Sequence, residues 1–331
     1  MVSSAAIASP KRLTVLMPLR DDWASGAELI RRLDRTLNAY PCILNVLIVD
    51  DGSVQPCRTA DFLSTYAVVR SIRILRLRRN LGHQRAIAIG LVHTAMAVPC
   101  DAVLVMDADG EDTPEGALRL LHEFSETHSG AKAVFAARSR RTESLVFKLS
   151  YGFYKVLHRL LTGISVRVGN FSVFPSAYLN TLVVMSELWN HYAAAVFRSG
   201  LPFSAIPIPR GNRIAGTSRM NFVSLVTHGM SAISVFADVV GVRLLIASMA
   251  CSLLAVLGVL AVIAIRLFTD KAIPGWATST SGTLVVILIQ FVAIAASFTF
   301  TMLSSRTALN IVPLRDCEVF VLESLEVYGV D

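Results

Sequence analysis

The chain has 331 residues, 31 Lys and Arg against 24 Asp and Glu, a formal charge of +7, and 53% apolar but only 17% charged residues. Soluble domains carry about 25% charged residues, so this composition excludes an ordinary soluble enzyme, and the apolar fraction excludes a disordered chain. The five cysteines (Cys42, Cys57, Cys100, Cys251 and Cys317) are odd in number and lack paired spacing, which argues against a disulfide framework and a cysteine zinc site.

Residues 1–12 are expected to form a flexible tail: they are small and polar, and their charges come last, at Lys11 and Arg12. That order is the reverse of a signal peptide, so the first 240 residues are expected in the cytoplasm. Residues 13–17, 44–49, 72–77 and 102–106 read as strands buried on both faces. A helix is expected near Ser25, where Ser25 and Glu28 have capping-box spacing. Another is expected over residues 84–98, and a third from Thr113, with Pro114 at its first position. Strands alternating with helices predict an α/β domain around a mostly parallel sheet, with ligands beyond the carboxyl ends of the strands.

Two strands end in acid clusters: Asp50, Asp51, Gly52 and Ser53, then Asp107, Ala108, Asp109, Gly110, Glu111 and Asp112. Asp107 and Asp109, two residues apart at a strand exit, have the chemistry to hold a hard divalent cation beside a diphosphate. Taken alone, such a pair reads more readily as a solvated acidic turn with a helix-capping Asp. Neither a P-loop nor a G-x-G-x-x-G motif is present.

Arg198, Arg210, Arg213, Arg219 and Arg243 precede the first long apolar run, with Asp238 the one acid after Glu187 in that stretch, as the positive-inside rule expects. In residues 221–240, Phe222, Val226, Met230, Ile233, Phe236 and Val240 recur at helical steps opposite polar residues. That pattern fits an amphipathic helix lying in the membrane interface or one packed on the soluble domain. Residues 244–265 carry no charge, and a second charge-free run covers 272–305; about 20 apolar residues span a bilayer. Two buried core helices are the alternative. The expected order is a cytoplasmic domain over 13–220, a juxtamembrane helix over 221–240, membrane spans over 241–268 and 283–305, an extracytoplasmic loop over 269–282 between them, and a cytoplasmic tail over 306–331. Basic charge gathered before a membrane span, without interleaved aromatics, does not suggest a nucleic-acid partner.

Taken in order, the motifs resemble family 2 glycosyltransferases over about residues 13–305, and within them the polyprenyl-phosphate branch that includes dolichol-phosphate mannosyltransferase and bacterial undecaprenyl-phosphate glucosyltransferase. Met17, Pro18, Leu19, Arg20, Asp21 and Asp22 stand for the family's V-P-V-Y-N-E. Asp50, Asp51, Gly52 and Ser53 match D-D-G-S; Arg79, Asn80, Leu81, Gly82 and Ala86 match R-N-x-G-x-x-x-A; Asp107 and Asp109 match D-x-D. Arg138 and Arg141 fit paired arginines near an acceptor phosphate, and Gly216, Thr217, Ser218, Arg219 and Met220 resemble the mobile G-E-S-K-Y loop.

The resemblance implies a glycosyltransferase-A type fold and inverting transfer of one sugar from a nucleotide-sugar to a polyprenyl phosphate at the cytoplasmic face of the inner membrane. UDP-glucose is the first expected donor and GDP-mannose the second, with Mg²⁺ or Mn²⁺ as cofactor. It implies nucleotide contacts from Pro18, Asp22, Asp51, Asn80, Gly82 and Asp107, and metal ligation by Asp107, Asp109 and Glu111. Catalytic roles fall to Asp109, Asn170, Arg213, Ser218 and Arg219, and acceptor-phosphate contacts to Arg138 and Arg141. A homo-oligomer is also compatible with it. Arg20, Asp21, Glu111, Asn170, His83 and Arg219 depart from the common pattern, Asn170 replacing Asp in G-D-F. These departures keep open a non-catalytic membrane protein of the same fold, or another lipid acceptor.

Overall fold

The computed structural model describes residues 11–127, 129–138, 156, 158–163, 168–215, 222–269, 275–307 and 311–330. The chain divides into two compact units, one of residues 1–151, 166–235 and 310–331 and the other of residues 152–165 and 236–309.

The first unit is built on an eight-stranded sheet: β1 (Arg12–Leu19), β2 (Ile43–Asp50), β3 (Val69–Leu77), β4 (Ala102–Val105), β5 (Ala133–Arg138), β6 (Val168–Pro175), β7 (Phe203–Ile208) and β8 (Val321–Gly329), in the order β7-β5-β6-β4-β1-β2-β3-β8. β1 pairs in parallel with β2 and β4, β2 with β3, and β5 with β7, whereas β6 and β8 run antiparallel to their neighbours. This is the mostly parallel α/β sheet expected, and the four strands read from sequence form its centre.

Those strands were legible because both faces are buried. Successive residues point to opposite faces: Val15, Met17, Val46 and Ile48 join one core, while Leu16, Leu47 and Val49 join the other. On the first face pack α1 (Trp23–Leu37), through Leu29, Ile30 and Leu33, and α3 (Pro114–His122), through Leu120 and Leu121. On the second pack α2 (His83–Ala97), through Ile87, Ile89 and Leu91, and α4 (Tyr192–Arg198), through Tyr192 and Val196. Burying each such side chain contributes about 1.5–3 kcal/mol.

The helix starts show where sequence spacing holds. Thr113 Oγ1 accepts from Gly116 N at 3.1 Å, with Pro114 at the first position, so α3 begins as expected. The Ser25–Glu28 capping box does not form: α1 starts two residues earlier, at Trp23, and Ser25 is buried inside its first turn. Glu28 is drawn instead to Arg31 and Arg32, 3.1 and 2.8 Å away.

Within the segment expected as a cytoplasmic tail, residues 311–330 contribute to the sheet unit. After a helical turn at Pro313–Asp316, β8 adds to the outer edge of β3. Glu326 pairs with Arg73 at 2.9 Å and Glu323 with Arg76, matching charges across the two strands.

The expected helix over 221–240 is divided. α5 (Phe222–Ser234) ends before a turn at Val235 and Phe236, and Val240 belongs to the next helix. In the second unit, α6 (Ala237–Phe268) and α7 (Trp276–Thr307) are each 32 residues long, about 48 Å at 1.5 Å per residue, more than a 30 Å hydrocarbon core requires. Leu254 and Phe300 are among the many exposed apolar side chains on them. Two buried core helices would not show this, and both helices are long and apolar enough to cross a membrane. A Cβ on Gly258 would meet Leu284 at 3.1 Å, the close helix approach that small residues permit.

Candidate active site

Strand register gathers the chemistry on one edge of the sheet. β1, β2, β3 and β4 are parallel, so Asp22, Asp51, Asn80 and Asp107 all follow strands that end on the same side. β6 runs opposite to β4, with Val105 beside Ser172, so Asn170 arrives at this edge from the start of its strand. Arg138 and Ile208 close β5 and β7 there, opposite one another.

The first turns are locked together by acids. Asp51 is buried and accepts from Leu81 N at 2.7 Å and Gly82 N at 3.0 Å, with Asn80 Oδ1 taking the Gly82 N–H as well. Burial pushes the Asp51 carboxyl above its ordinary pKa, against the opposing pull of those two N–H groups. Gly52 has φ +66°, and a Cβ there would sit 2.5 Å from Asn80 N, so the close approach of the two turns requires glycine. Asp21, with φ 58°, accepts from Val54 N at 2.7 Å and Gln55 N at 3.1 Å, while its own N–H donates to Ser53 Oγ at 2.9 Å. An acid in place of the family's Asn thus ties the Asp22 turn to the Asp51 turn.

The D-x-D turn is closed by Asp112, which accepts from Asp107 N at 2.9 Å, and by Asp109, which accepts from Glu111 N at 2.9 Å. A segment following β7 is strapped across it. Gly211 N donates to Glu111 O and Ile214 N to Asp109 O, both at 2.9 Å. Arg213 reaches Asp109 at 2.6 Å and lies 3.7 Å from Glu111, which also pairs with Arg210. Burial raises the pKa of Asp109, the neighbouring Asp107 raises it further, and Arg213 offsets part of the rise.

Beside this turn, Asn170 closes a buried polar ring. Tyr192 N donates to Gln84 Oε1 at 2.8 Å, and Gln84 Nε2 to Asn170 Oδ1 at 3.2 Å. Ser172 Oγ donates to Asn170 O at 2.9 Å and therefore accepts from Tyr192 Oη at 2.8 Å. Burial holds the Tyr192 hydroxyl far above its ordinary pKa, so it stays a donor. Asn170 Nδ2 lies 3.0 Å from His83 Nε2, which lies 3.1 Å from Asp107 Oδ1. The amide offers a hydrogen to that nitrogen, whereas the carboxylate asks one from it. Burial pulls the His83 pKa down, but Asp107, with Asp112 and Asp51 behind it, outweighs burial and raises it.

A family model described as glycosyl transferase family 2 matches residues 14–182, the stretch that carries this sheet edge. The chain belongs to glycosyl transferase family 2. Its relatives include the glycosyltransferase YkcC of Bacillus subtilis (strain 168), 26% identical over 274 residues and 80% of each chain. The undecaprenyl-phosphate 4-deoxy-4-formamido-L-arabinose transferase of Salmonella choleraesuis (strain SC-B67) is 25% identical over 220 residues, 65% of this chain and 64% of that enzyme. Among solved structures, mannosyl-3-phosphoglycerate synthase from Rubrobacter xylanophilus aligns at 16% identity with a TM-score of 0.47, over 69% of this chain and 73% of that one.

In this family 2 chain, Asp107, Asp109 and Glu111 lie on one turn, and arginines of the strap meet Asp109 and Glu111. Asp107 and Asp109 supply oxygen donors whose mutual repulsion a cation would relieve. Glu111 is engaged by Arg210 and Arg213, and among the described residues no three His, Cys, Asp or Glu side chains are arranged to hold a metal. The strap meets Asp109 as well, through Arg213, so the arginine contacts do not set Glu111 apart from Asp109. Pro18 is buried in β1, opposite Val49. Asp22 stands at the α1 N-terminus without a side-chain cap bond, and Arg138 ends β5. Arg141, Ser218 and Arg219 lie outside the described residues. Sequence reading passed over Arg210 as a partner of Glu111, and Gln84, Tyr192 and Ser172 as the support of Asn170. The R-N-x-G-x-x-x-A match covers Gln84 only at a variable position.

Proposed function

We propose that this glycosyltransferase moves a single sugar, with inversion, from a nucleotide-sugar to a polyprenyl phosphate at the cytoplasmic face of the inner membrane. The observation that carries the reading is the charge array at the D-x-D turn: Asp107 and Asp109 side by side, with Arg213 2.6 Å from Asp109. Carboxylates for a cation next to an arginine for phosphate oxygens suit a diphosphate leaving group. The apolar α6 and α7 helices and the Salmonella relative's acceptor support a lipid phosphate.

In this reading Asp107 and Asp109 would hold Mg²⁺ or Mn²⁺, which supplies Lewis-acid stabilisation of the departing diphosphate when bound. Asp22, Asp51 and the Asn80–Gly82 turn receive the nucleotide. Arg213, with Ser218 and Arg219, closes on the diphosphate, and Arg138 and Arg141 hold the acceptor. Asn170 cannot act as a base. A phosphate monoester has its second pKa near 6, so the acceptor is already mostly a dianion at neutral pH and needs placing more than deprotonating.

The test is transfer by the purified full-length protein to undecaprenyl phosphate, with UDP-glucose first and GDP-mannose second, read by mass spectrometry of the lipid. A hexosyl-phosphate lipid should form with Mg²⁺ or Mn²⁺ and vanish with chelator or in Asp109→Ala. No product from a panel of nucleotide-sugars would overturn the transfer, and chelator-resistant product would overturn the metal role.

A further inference from the structure

The hydrogen-bond direction around Asn170 follows from one group that cannot be turned over. The backbone N–H of Tyr192 is a donor, so the Gln84 atom it meets at 2.8 Å is the carbonyl oxygen. The other end of the Gln84 amide is then N–H₂, and it donates to Asn170 Oδ1. Asn170 is left with its own N–H₂ as the open end of the ring, facing His83 Nε2 beside Asp107. On the opposite side, the Tyr192 hydroxyl holds the Asn170 main chain through Ser172. Tyr192 and Ser172 have no exposed surface, and Gln84 retains 8%, so water does not compete for these bonds. Of the two amide hydrogens of Asn170, one points to His83, and the other has no partner among the described residues.

We propose that Gln84 is a positioning residue that holds the Asn170 amide with its N–H₂ toward His83 and Asp107, making residue 170 a hydrogen-bond donor to an oxygen of the acceptor phosphate. This rests on the acceptor named above. The consequence for specificity is direct. A carboxylate at 170 would still accept from Gln84, but it would turn a second negative oxygen toward an anionic acceptor. The amide turns a donor toward it instead. Gln84 thus decides which face of a side chain that is nearly symmetric in shape meets the substrate.

The experiment is a double-mutant cycle on the full-length protein, with initial rates measured against undecaprenyl phosphate and against the nucleotide-sugar that wild type uses. In Gln84→Glu, one carboxylate oxygen still accepts from Tyr192 N, but the other replaces the donor. The Asn170 amide then turns over and shows its carbonyl to the acceptor. The expected loss in kcat/KM for undecaprenyl phosphate is about 10- to 100-fold, the scale of a lost hydrogen bond to a charged group, with the nucleotide-sugar KM within about twofold. Asn170→Ala should show a comparable acceptor defect, and adding Gln84→Glu to it should cost nothing more, since no amide remains to orient. Gln84→Leu, which frees the amide without introducing charge, gives the same test should Gln84→Glu fail to fold: a smaller acceptor defect, again absent on Asn170→Ala. Equal losses in both backgrounds, or a defect in the nucleotide-sugar KM instead, would overturn the positioning role. Wild type that transfers no sugar to undecaprenyl phosphate overturns the functional reading itself, and that outcome is separate from an active wild type with an additive cycle.

Discussion

Gly211→Ala tests whether the strap over the D-x-D turn is held by contact. The backbone there needs no left-handed conformation, so the effect is steric. A Cβ at 211 would lie 2.4 Å from Thr113 Cγ2 and 2.9 Å from Gly110 O. Ordinary carbon contacts are about 3.5–4.0 Å, so the segment must move by roughly an ångström. That stretches the 2.9 Å bond from Gly211 N to Glu111 O beyond hydrogen-bonding range, at about 1 kcal/mol. If the strap lifts further, it forfeits the matching Ile214 bond and the charge-assisted contact of Arg213 with Asp109. The total is about 2–4 kcal/mol, and even its lower end raises the open population about 30-fold. Limited trypsin digestion of the full chain reads this directly, because Arg210 and Arg213 lie on the strap, and cleavage tracks the open population when reclosing is fast. Cleavage after both arginines should accelerate about 30-fold or more, while nucleotide-dependent activity falls. Wild-type cleavage rates in the variant would refute the argument that these contacts hold the segment closed.

Asp34→Leu removes a buried carboxylate that accepts from Ala67 N, Val68 N and Val69 N at 2.8–3.1 Å. Stranding those donors should cost about 3 kcal/mol or more; a melting temperature within a degree or two of wild type would show that they find other partners. His93 carries a prediction for pH. Burial, with Arg73 adding to it, lowers its pKa below the ordinary 6.5, and its buried Nε2 has no hydrogen-bond partner among the described residues. The unfolded chain therefore binds a proton first as pH falls through 6.5, so this residue's contribution to stability is present above that pH and is lost below it. Thermal unfolding between pH 7.5 and 5 should show a shallower decline for His93→Leu than for wild type, and parallel curves would exclude the effect.

The central strands, the start of α3 and the two apolar helices were legible because each depends on a short-range pattern. Continuous apolar runs mark strands covered on both faces, Thr113 followed by Pro114 marks a helix start, and charge-free stretches longer than a bilayer mark α6 and α7. The capping box at Ser25 failed because Ser25 was needed inside the helix, where it is buried. β8 was missed for the opposite reason: an edge strand carrying Glu323 and Glu326 lacks the apolar signature, and only pairing with Arg73 and Arg76 of β3 makes it a strand.

By itself, then, the sequence determined the chemical inventory: carboxylates past the ends of buried strands, an arginine-rich approach to two long apolar runs, and motif order resembling a single glycosyltransferase family. Tertiary structure alone decided how those groups are paired. An antiparallel β6 carries Asn170 to the carboxyl edge, Arg210 engages Glu111, and the Tyr192 N–H sets the polarity of an amide more than twenty residues before it. Periodicity and spacing act over a few residues, whereas the direction of a hydrogen bond depends on which distant backbone donor the fold brings against it.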